Sequence, residues 1–331
     1  MKKIVTFMLM IILSLPLLIT GCGDHDTKTI KLNEVTHSIF YAPLYIAINK
    51  GYFEEYDIKI ELTNGGGSNN SMTALISGSA DVALLGPETS LYVAQQGRTD
   101  LPKIFGQLTK RDGSFIVGRT NDDFNWADLT NKEILGGRRG GMPAMTLEYV
   151  LKNKGLIDGT NVTINYDVEF NNMNSAFMSG QGDYVTSFEP SASEIVAANK
   201  GYIVASVGQE AGEMPFTAFM ANDSYINNNK DTIENFLKAV IKGYRFLTSA
   251  DIELVVDALT PSFSGTSREI IKKAIMSYLS IDAWVSTPVM NESAYNKLVE
   301  VMQSAGELSS TVPFTTVVNN TYARNAIAAM Q

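Results

Sequence analysis

Cysteine and histidine are almost missing from this chain. Its 331 residues hold one Cys, Cys22, and two His, His25 and His37. A single Cys makes no internal disulfide, so the fold rests on its core alone. Past residue 28 there is one His and no Cys, which excludes a Cys/His metal cluster, and no H-E-x-x-H pair is present. Nucleophilic catalysis is equally short of parts. There is no G-x-S-x-G elbow, and His37 is the one imidazole base in the folded part. Basic runs are absent too. Lys and Arg number 26 against 35 Asp and Glu, a net charge of −9, which argues against nucleic acid as a partner and favours solubility. The run Gly65-Gly66-Gly67-Ser68 lacks the Lys and spacing of a phosphate loop. It reads as a turn that lets a ligand approach the backbone, with Ser68 and Asn69 offering donors.

The N-terminus is the first thing that is there. Lys2 and Lys3 precede an apolar stretch over residues 4–18, broken by Thr6, Ser14 and Pro16. A charged start, a short apolar core and small residues before a cut site make a secretion signal over residues 1–21. The stretch is short of the roughly 20 residues that a spanning helix needs. Thr20-Gly21-Cys22 resembles the bacterial lipobox. That resemblance implies cleavage before Cys22 and a lipid thioether on its sulfur, which would hold the protein to the membrane. Residues 22–28 are polar and read as a short tether.

From residue 29 to about 207, strand-like and helical patterns alternate. Ile30 and Leu32 begin a strand, residues 43–50 a helix opened by Pro43 and stopped by Gly51, and Ile58, Ile60 and Leu62 a second strand. A helix stopped by Gly78, a buried strand over 81–85 and a helix opened by Pro87 follow. This order implies a largely parallel sheet with helices on its faces. The pattern restarts with strands over 115–117, 134–135, 162–170 and 184–188.

A repeat at an offset of 102 residues joins the two halves. Asn69-Asn70 matches Asn171-Asn172, Ala74 matches Ala176, Ser77-Gly78 matches Ser179-Gly180, and Asp81 matches Asp183. Two readings stay open: a chance likeness of two β-α-β units, or two lobes of like topology sharing a cleft. The last third is helical over 252–259, 267–279 and 292–304. Asp231 and Glu234 form a start signature for an earlier helix.

Residues 40–53, Phe-Tyr-Ala-Pro-Leu-Tyr-Ile-Ala-Ile-Asn-Lys-Gly-Tyr-Phe, resemble the opening of solute-binding proteins for sulfonates, taurine, nitrate and thiamine-pyrimidine precursors. So do Ala74-Leu75 with Gly78 and Asp81, Leu85-Gly86-Pro87, residues 137–141 and Phe188-Glu189-Pro190. The resemblance covers most of residues 29–221. It implies an α/β fold of the periplasmic-binding-protein type II class: two α/β lobes joined by two crossing strands, with the ligand cleft between them. Lobe one would be 29–112 with 217–331, lobe two 113–216, and the crossings would lie near 110–114 and 213–217. It also implies a monomer that delivers a small molecule to an ABC permease with a cytoplasmic ATPase, without cofactor or catalysis. A sensing domain on the same fold is the alternative reading. The pyrimidine synthase of the same superfamily fits less well, because its Cys-rich segment is absent and an export signal does not suit it.

Ligands in open α/β sheets sit beyond the carboxyl ends of strands, near helix N-termini. That rule selects residues 37–41, 65–70, 86–89, 137–142, 170–172 and 188–189. Glu88 and Glu189 occupy matching turns. Each is either a carboxylate favoured by a helix N-terminus or an acceptor for a ligand amine. As a ligand-binding pair they favour an amino-bearing ligand, so Glu189→Gln would weaken such a ligand. Arg138 and Arg139, with Gly140, lie in a turn able to cradle an anion. Arg139 is taken as the binding residue of the two. Phe40 and Tyr41 could stack on a flat ligand or simply pack. The expected binding set is His37, Phe40, Tyr41, Ser68, Asn69, Glu88, Thr89, Arg139, Gly140, Asn171, Asn172 and Glu189, with Cys22 for the lipid and no metal ligands.

Overall fold

The computed structural model describes residues 27–331. The residues read as an export signal, Cys22 and most of the expected tether lie outside them. The chain opens with β1 (Lys28–Glu34), α1 (Ala42–Asn49), β2 (Ile58–Asn64), α2 (Ser68–Ser77), β3 (Val82–Leu85), α3 (Glu88–Gln95) and β4 (Pro102–Thr109). It continues through β5 (Ser114–Gly118), β6 (Glu133–Leu135), α4 (Met142–Asn153), β7 (Thr163–Asn165), α5 (Met173–Met178), β8 (Tyr184–Phe188), α6 (Ser191–Ala197) and β9 (Tyr202–Ser206). After α7 (Val207–Ala211) come β10 (Thr217–Asn222), α8 (Asp223–Asn228), α9 (Lys230–Ser249), α10 (Ile252–Leu259), α11 (Arg268–Ser280) and α12 (Glu292–Ser304).

Two five-stranded sheets result, in the orders β2-β1-β3-β10-β4 and β7-β6-β8-β5-β9. The first three strands of each are parallel, and the fourth runs against its neighbours. Parallel strands are covered by helices on both faces and so read as apolar runs; β3, Val-Ala-Leu-Leu, is buried throughout. The chain passes from the first sheet to the second between β4 and β5, and returns between β9 and β10. The two passages are bonded to each other: the Met214 N–H donates to the Lys110 carbonyl at 3.0 Å, and the Phe216 N–H to the Thr109 carbonyl at 3.2 Å.

The repeat has a structural counterpart. The Lys31 N–H donates to the Asp81 carboxylate and the Asp81 N–H to the Lys31 carbonyl, at 2.9 and 2.8 Å. Glu133 and Asp183 exchange the same two bonds, both 2.9 Å. Each Asp ties the start of its sheet's third strand, β3 or β8, to the second, β1 or β6. Backbone pairing therefore asks for Asp at both places.

Three local expectations differ from the structure. The strand expected over 162–170 stops at Asn165, whose side-chain carbonyl accepts from the Asp167 N–H at 3.0 Å and bends the chain. The helix expected to begin near Asp231 begins at Lys230 behind Asn229. No side chain caps it, and Glu234 instead pairs with Lys238 at 2.9 Å. The 102-residue period hides β4, β9 and β10, which are not read from the sequence as strands. The helical last third packs largely on the first sheet, with α9 lying along α1. From α11, Tyr278 reaches the second sheet's end and accepts from the Glu189 N–H at 2.8 Å.

Candidate functional site

A cavity of about 390 Å³ lies between the sheets. It is bounded by the turns that follow β1, β2, β3, β6 and β7, by Phe188 at the end of β8 and by the returning passage into β10. Its wall is aromatic. Phe40 touches Phe188, Phe216 and Tyr41, with ring centres 5.7, 5.8 and 5.9 Å apart, and Phe170 stands 5.8 Å from Phe188. The Trp284 indole holds the Phe40 carbonyl at 2.9 Å, which fixes the turn that presents these rings.

The cavity's polar side is built from helix starts. Residues at the beginnings of α2, α3 and α4 line it, and none of these helices has a side-chain cap. Their free N–H groups turn partial positive charge toward the space. Pro at the second position of α4 sets its direction without needing an N–H.

Glu88 is the outstanding group. It is fully buried, and neither carboxylate oxygen has a hydrogen-bond partner among the described residues. Burial pushes its pKa up to about 7, tempered by its own N–H, by the charge of Arg138 and by the N–H groups of Met142 and Thr89. Those N–H groups favour the charged form from nearby but do not reach the carboxylate with bonding geometry. The carboxylate packs directly over Gly86, where a Cβ would fall 2.0 Å from Glu88 Oε2. Any side chain at residue 86 would push Glu88 out of place. A buried acceptor left unpaired costs about 1–3 kcal/mol, and that cost is recovered when a donor enters.

Phe40, Tyr41, Ser68, Asn69 and Glu88 from the expected set line the cavity, and so does Arg138. Arg139 does not. It is exposed, lies over the Tyr166 ring at 3.9 Å and pairs with Asp158 at 3.6 Å. The segment is a tight turn closed by the Gly141 N–H donating to the Arg138 carbonyl at 3.1 Å, and the charge facing the cavity falls to Arg138. Thr89 is buried behind the site, where its hydroxyl donates to the Gly86 carbonyl at 2.7 Å. The Gly140 carbonyl accepts from the Tyr92 hydroxyl at 2.9 Å, and Asn172 is exposed in a helical turn. The Asn171 amide donates across the cleft to the Gly66 carbonyl at 3.3 Å.

His37 and Glu189 lie off the main cavity, beside a smaller space. His37 Nδ1 meets Glu34 at 2.9 Å and Nε2 meets the Ser262 carbonyl at 2.8 Å. The Glu34 bond holds the His37 pKa above its ordinary value. The imidazole thus serves as a strut between β1 and the turn after α10.

The Glu189 carboxylate is occupied by Ser193, accepting from its N–H and its hydroxyl, both at 2.9 Å. It completes the first turn of α6. Glu189→Gln is therefore expected to lower stability by about 1 kcal/mol, read as a shifted urea midpoint. Ligand affinity is expected to change less than about threefold. A tenfold loss of affinity with unchanged stability would return Glu189 to the ligand.

Phe216 and Thr217 also line the cavity. Sequence alone places a crossing there and no binding residue. An aromatic beside a crossing was the available signal, since both crossings must border the cleft.

The chain and its fold have counterparts among known proteins. A family model described as NMT1/THI5 like matches residues 39–251, so the chain belongs to that family. It is 39% identical over 303 residues to "Putative binding protein YtlA" of Bacillus subtilis (strain 168), covering 91% of each chain. Among solved structures it is similar to the periplasmic nitrate-binding protein NrtA from Synechocystis PCC 6803. That match has a TM-score of 0.75 at 18% identity and covers 92% of this chain and 90% of the other. It is also similar to the alkanesulfonate-binding protein SsuA from Xanthomonas axonopodis pv. citri, with a TM-score of 0.72 at 17% identity over 88% and 98% of the two chains. These likenesses establish the periplasmic-binding-protein fold.

Proposed function

We propose that this member of the NMT1/THI5-like family is the solute-binding lipoprotein of an ABC importer. It captures a flat, amino-bearing polar ligand by closing two lobes over it, and it is monomeric and catalyses no reaction. Lobe one is residues 29–112 with 217–331, and lobe two is residues 113–216. The sheet membership of the strands supports this division. Lipidation of Cys22 would hold the protein at the extracytoplasmic face, where it meets the permease. The resemblance of residues 20–22 to a lipobox supports that anchor.

The observation that carries the ligand reading is the buried, unpartnered Glu88 carboxylate facing an aromatic wall. A ligand amine or amidine supplies the missing donor, and a planar ring fits against Phe40 and Phe188. Arg138 and the open helix starts add a place for a carbonyl, carboxylate or sulfonate at the ligand's other end. The named binders of sulfonate and nitrate share only the fold, and a purely anionic ligand would leave Glu88 without a partner.

A thermal-shift screen at pH 8 over aminopyrimidines, taurine, alkanesulfonates, nitrate and flavins tests this. Amino-bearing compounds are expected to raise the melting temperature, through about 2.7 kcal/mol of linkage at a hundred times Kd. A screen in which only nitrate or simple sulfonates stabilise the protein would overturn the ligand class.

A further inference from the structure

The turn between β1 and α1 carries much of the cavity's aromatic wall, and one titratable side chain pins it. Ser38, Phe40 and Tyr41 of this turn line the cavity. Ser38 also reaches across the cleft, its hydroxyl donating to the Glu189 carbonyl at 2.6 Å. His37 stands directly before Ser38. Its ring lies against Phe263 and Tyr45, with centres 4.6 and 4.8 Å apart. The turn after α10 that meets the ring is itself tied to α1. There the Asn49 amide donates to the Ala258 carbonyl and the Ser262 hydroxyl, both at 2.8 Å.

Both ring nitrogens of His37 meet oxygen acceptors: Nδ1 the Glu34 carboxylate, and Nε2 the Ser262 carbonyl at 2.8 Å. A neutral imidazole has one N–H and serves one of them, whereas the imidazolium serves both. The surroundings favour the cation. Glu34 of β1 is buried 2.9 Å away, with the Tyr45 hydroxyl of α1 donating to its other oxygen. Ser262 and Phe263 bring no charge. On the ring's open side no Lys or Arg lines the neighbouring space, and the one other carboxylate there, Glu189, is held by Ser193. The His37 side chain is 39% exposed, so protons reach it without unfolding.

We propose that His37 is a proton-operated clamp: as imidazolium it pins the turn over residues 36–41 to the helical block, and on losing its proton it lets the turn go. The carboxylate is the stronger acceptor and keeps the remaining N–H, so the Ser262 contact is the one given up. Release loosens the aromatic wall and the Ser38 bond between the lobes, and the cleft holds its shape better in mild acid than in alkali. The Glu34 bond raises the His37 pKa, against burial, with help from the Ser262 carbonyl. The clamp is therefore complete below about pH 6.5, where unfolded histidine titrates, and is lost as pH rises through the higher folded value.

The test needs no ligand, so it stands or falls apart from the ligand class proposed above. Proton NMR follows the His37 ring signal, assigned by its loss in His37→Gln. It is expected to titrate above the ordinary value of 6.5. Hydrogen exchange is read over the same pH range, corrected for base catalysis, at the Phe40 and Tyr41 N–H groups. These donate to the Ser38 hydroxyl and carbonyl at 3.2 and 2.9 Å. Their protection is expected to fall about tenfold as His37 loses its proton, roughly the worth of one buried hydrogen bond. In His37→Gln that step should vanish, although Glu88 and Asp112 still titrate. A ring that titrates at or below 6.5 would overturn the clamp, because the pair with Glu34 would then be neutral. Protection that does not follow the His37 titration, or a step that survives in the variant, would overturn it as well. Should the variant not fold, the parent's two titrations decide the point by coinciding or not.

Discussion

Glu88→Gln is expected to make the ligand-free protein more stable at pH 8 and to weaken an amine-bearing ligand at the same time. Burial raises the pKa of Glu88 to about 7, whereas an unfolded glutamate titrates near 4.3. Below the unfolded value both states hold the proton, and the carboxyl carries no penalty. Between the two values the folded state keeps its proton while the unfolded chain has lost it, so stability falls as pH rises through this window. Above about pH 7 the full penalty is present, on the order of 3–4 kcal/mol. Glutamine has no such titration. Its melting temperature should exceed the parent's by several degrees at pH 8 and converge with it near pH 4.

Asp112, buried at the crossing and likewise raised to about 7 by burial, will leave some pH dependence in both proteins. The same substitution removes the charge that meets the ligand amine. A charge-assisted hydrogen bond is worth about 1.5–3 kcal/mol, so affinity should fall about tenfold to a hundredfold. Thermal scans at pH 4 and pH 8 with calorimetry on a hit from the screen would check both halves. A variant no more stable than the parent at pH 8 would sink the strained-carboxylate account. Stability traded for function at one residue is the usual mark of a binding site.

Gly243→Val is expected to be the most damaging change outside the cavity. Gly243 lies in α9 where that helix meets α1, and a Cβ there would fall 2.0 Å from the Pro43 carbonyl oxygen and 3.2 Å from the Ala47 nitrogen. Both are backbone atoms of a helix, so no side chain can rotate away, and the helices must separate. Overpacking of this kind costs about 3 kcal/mol or more when the neighbour is rigid. Because α1 begins directly after Phe40 and Tyr41, displacing it also displaces the aromatic wall. The urea midpoint should drop sharply and ligand binding should weaken with it. An unchanged midpoint would show that α9 does not rest on α1 as described.

The elements most legible in the sequence are those whose burial is one-sided and local. Helices α10 (Ile252–Leu259) and α12 (Glu292–Ser304) sit where their apolar period places them, because the period directly records the face that turns inward. The matched Asp81 and Asp183 were legible as a repeat, and the reason for them is a pair of backbone bonds in each sheet. β10 was less so. It runs antiparallel between β3 and β4, more than a hundred residues from either, and nothing local announces such a partner.

Sequence by itself determined that the chain builds two alternating α/β halves with their ligand loops at the strand ends. Hydrophobic period, Gly and Pro stops and the 102-residue offset are local records of that plan. Which polar side chains remain free within those loops was decided only by the tertiary structure. Glu88 and Glu189 stand in like turns, yet Ser193 satisfies Glu189, and no described residue satisfies Glu88. Arg138 faces the cavity while its neighbour Arg139 stacks on Tyr166. Whether a polar group is spoken for depends on atoms brought to it from elsewhere in the chain. A carboxylate's readiness for a ligand is therefore a property of the packed neighbourhood, which the residue's own sequence context does not carry.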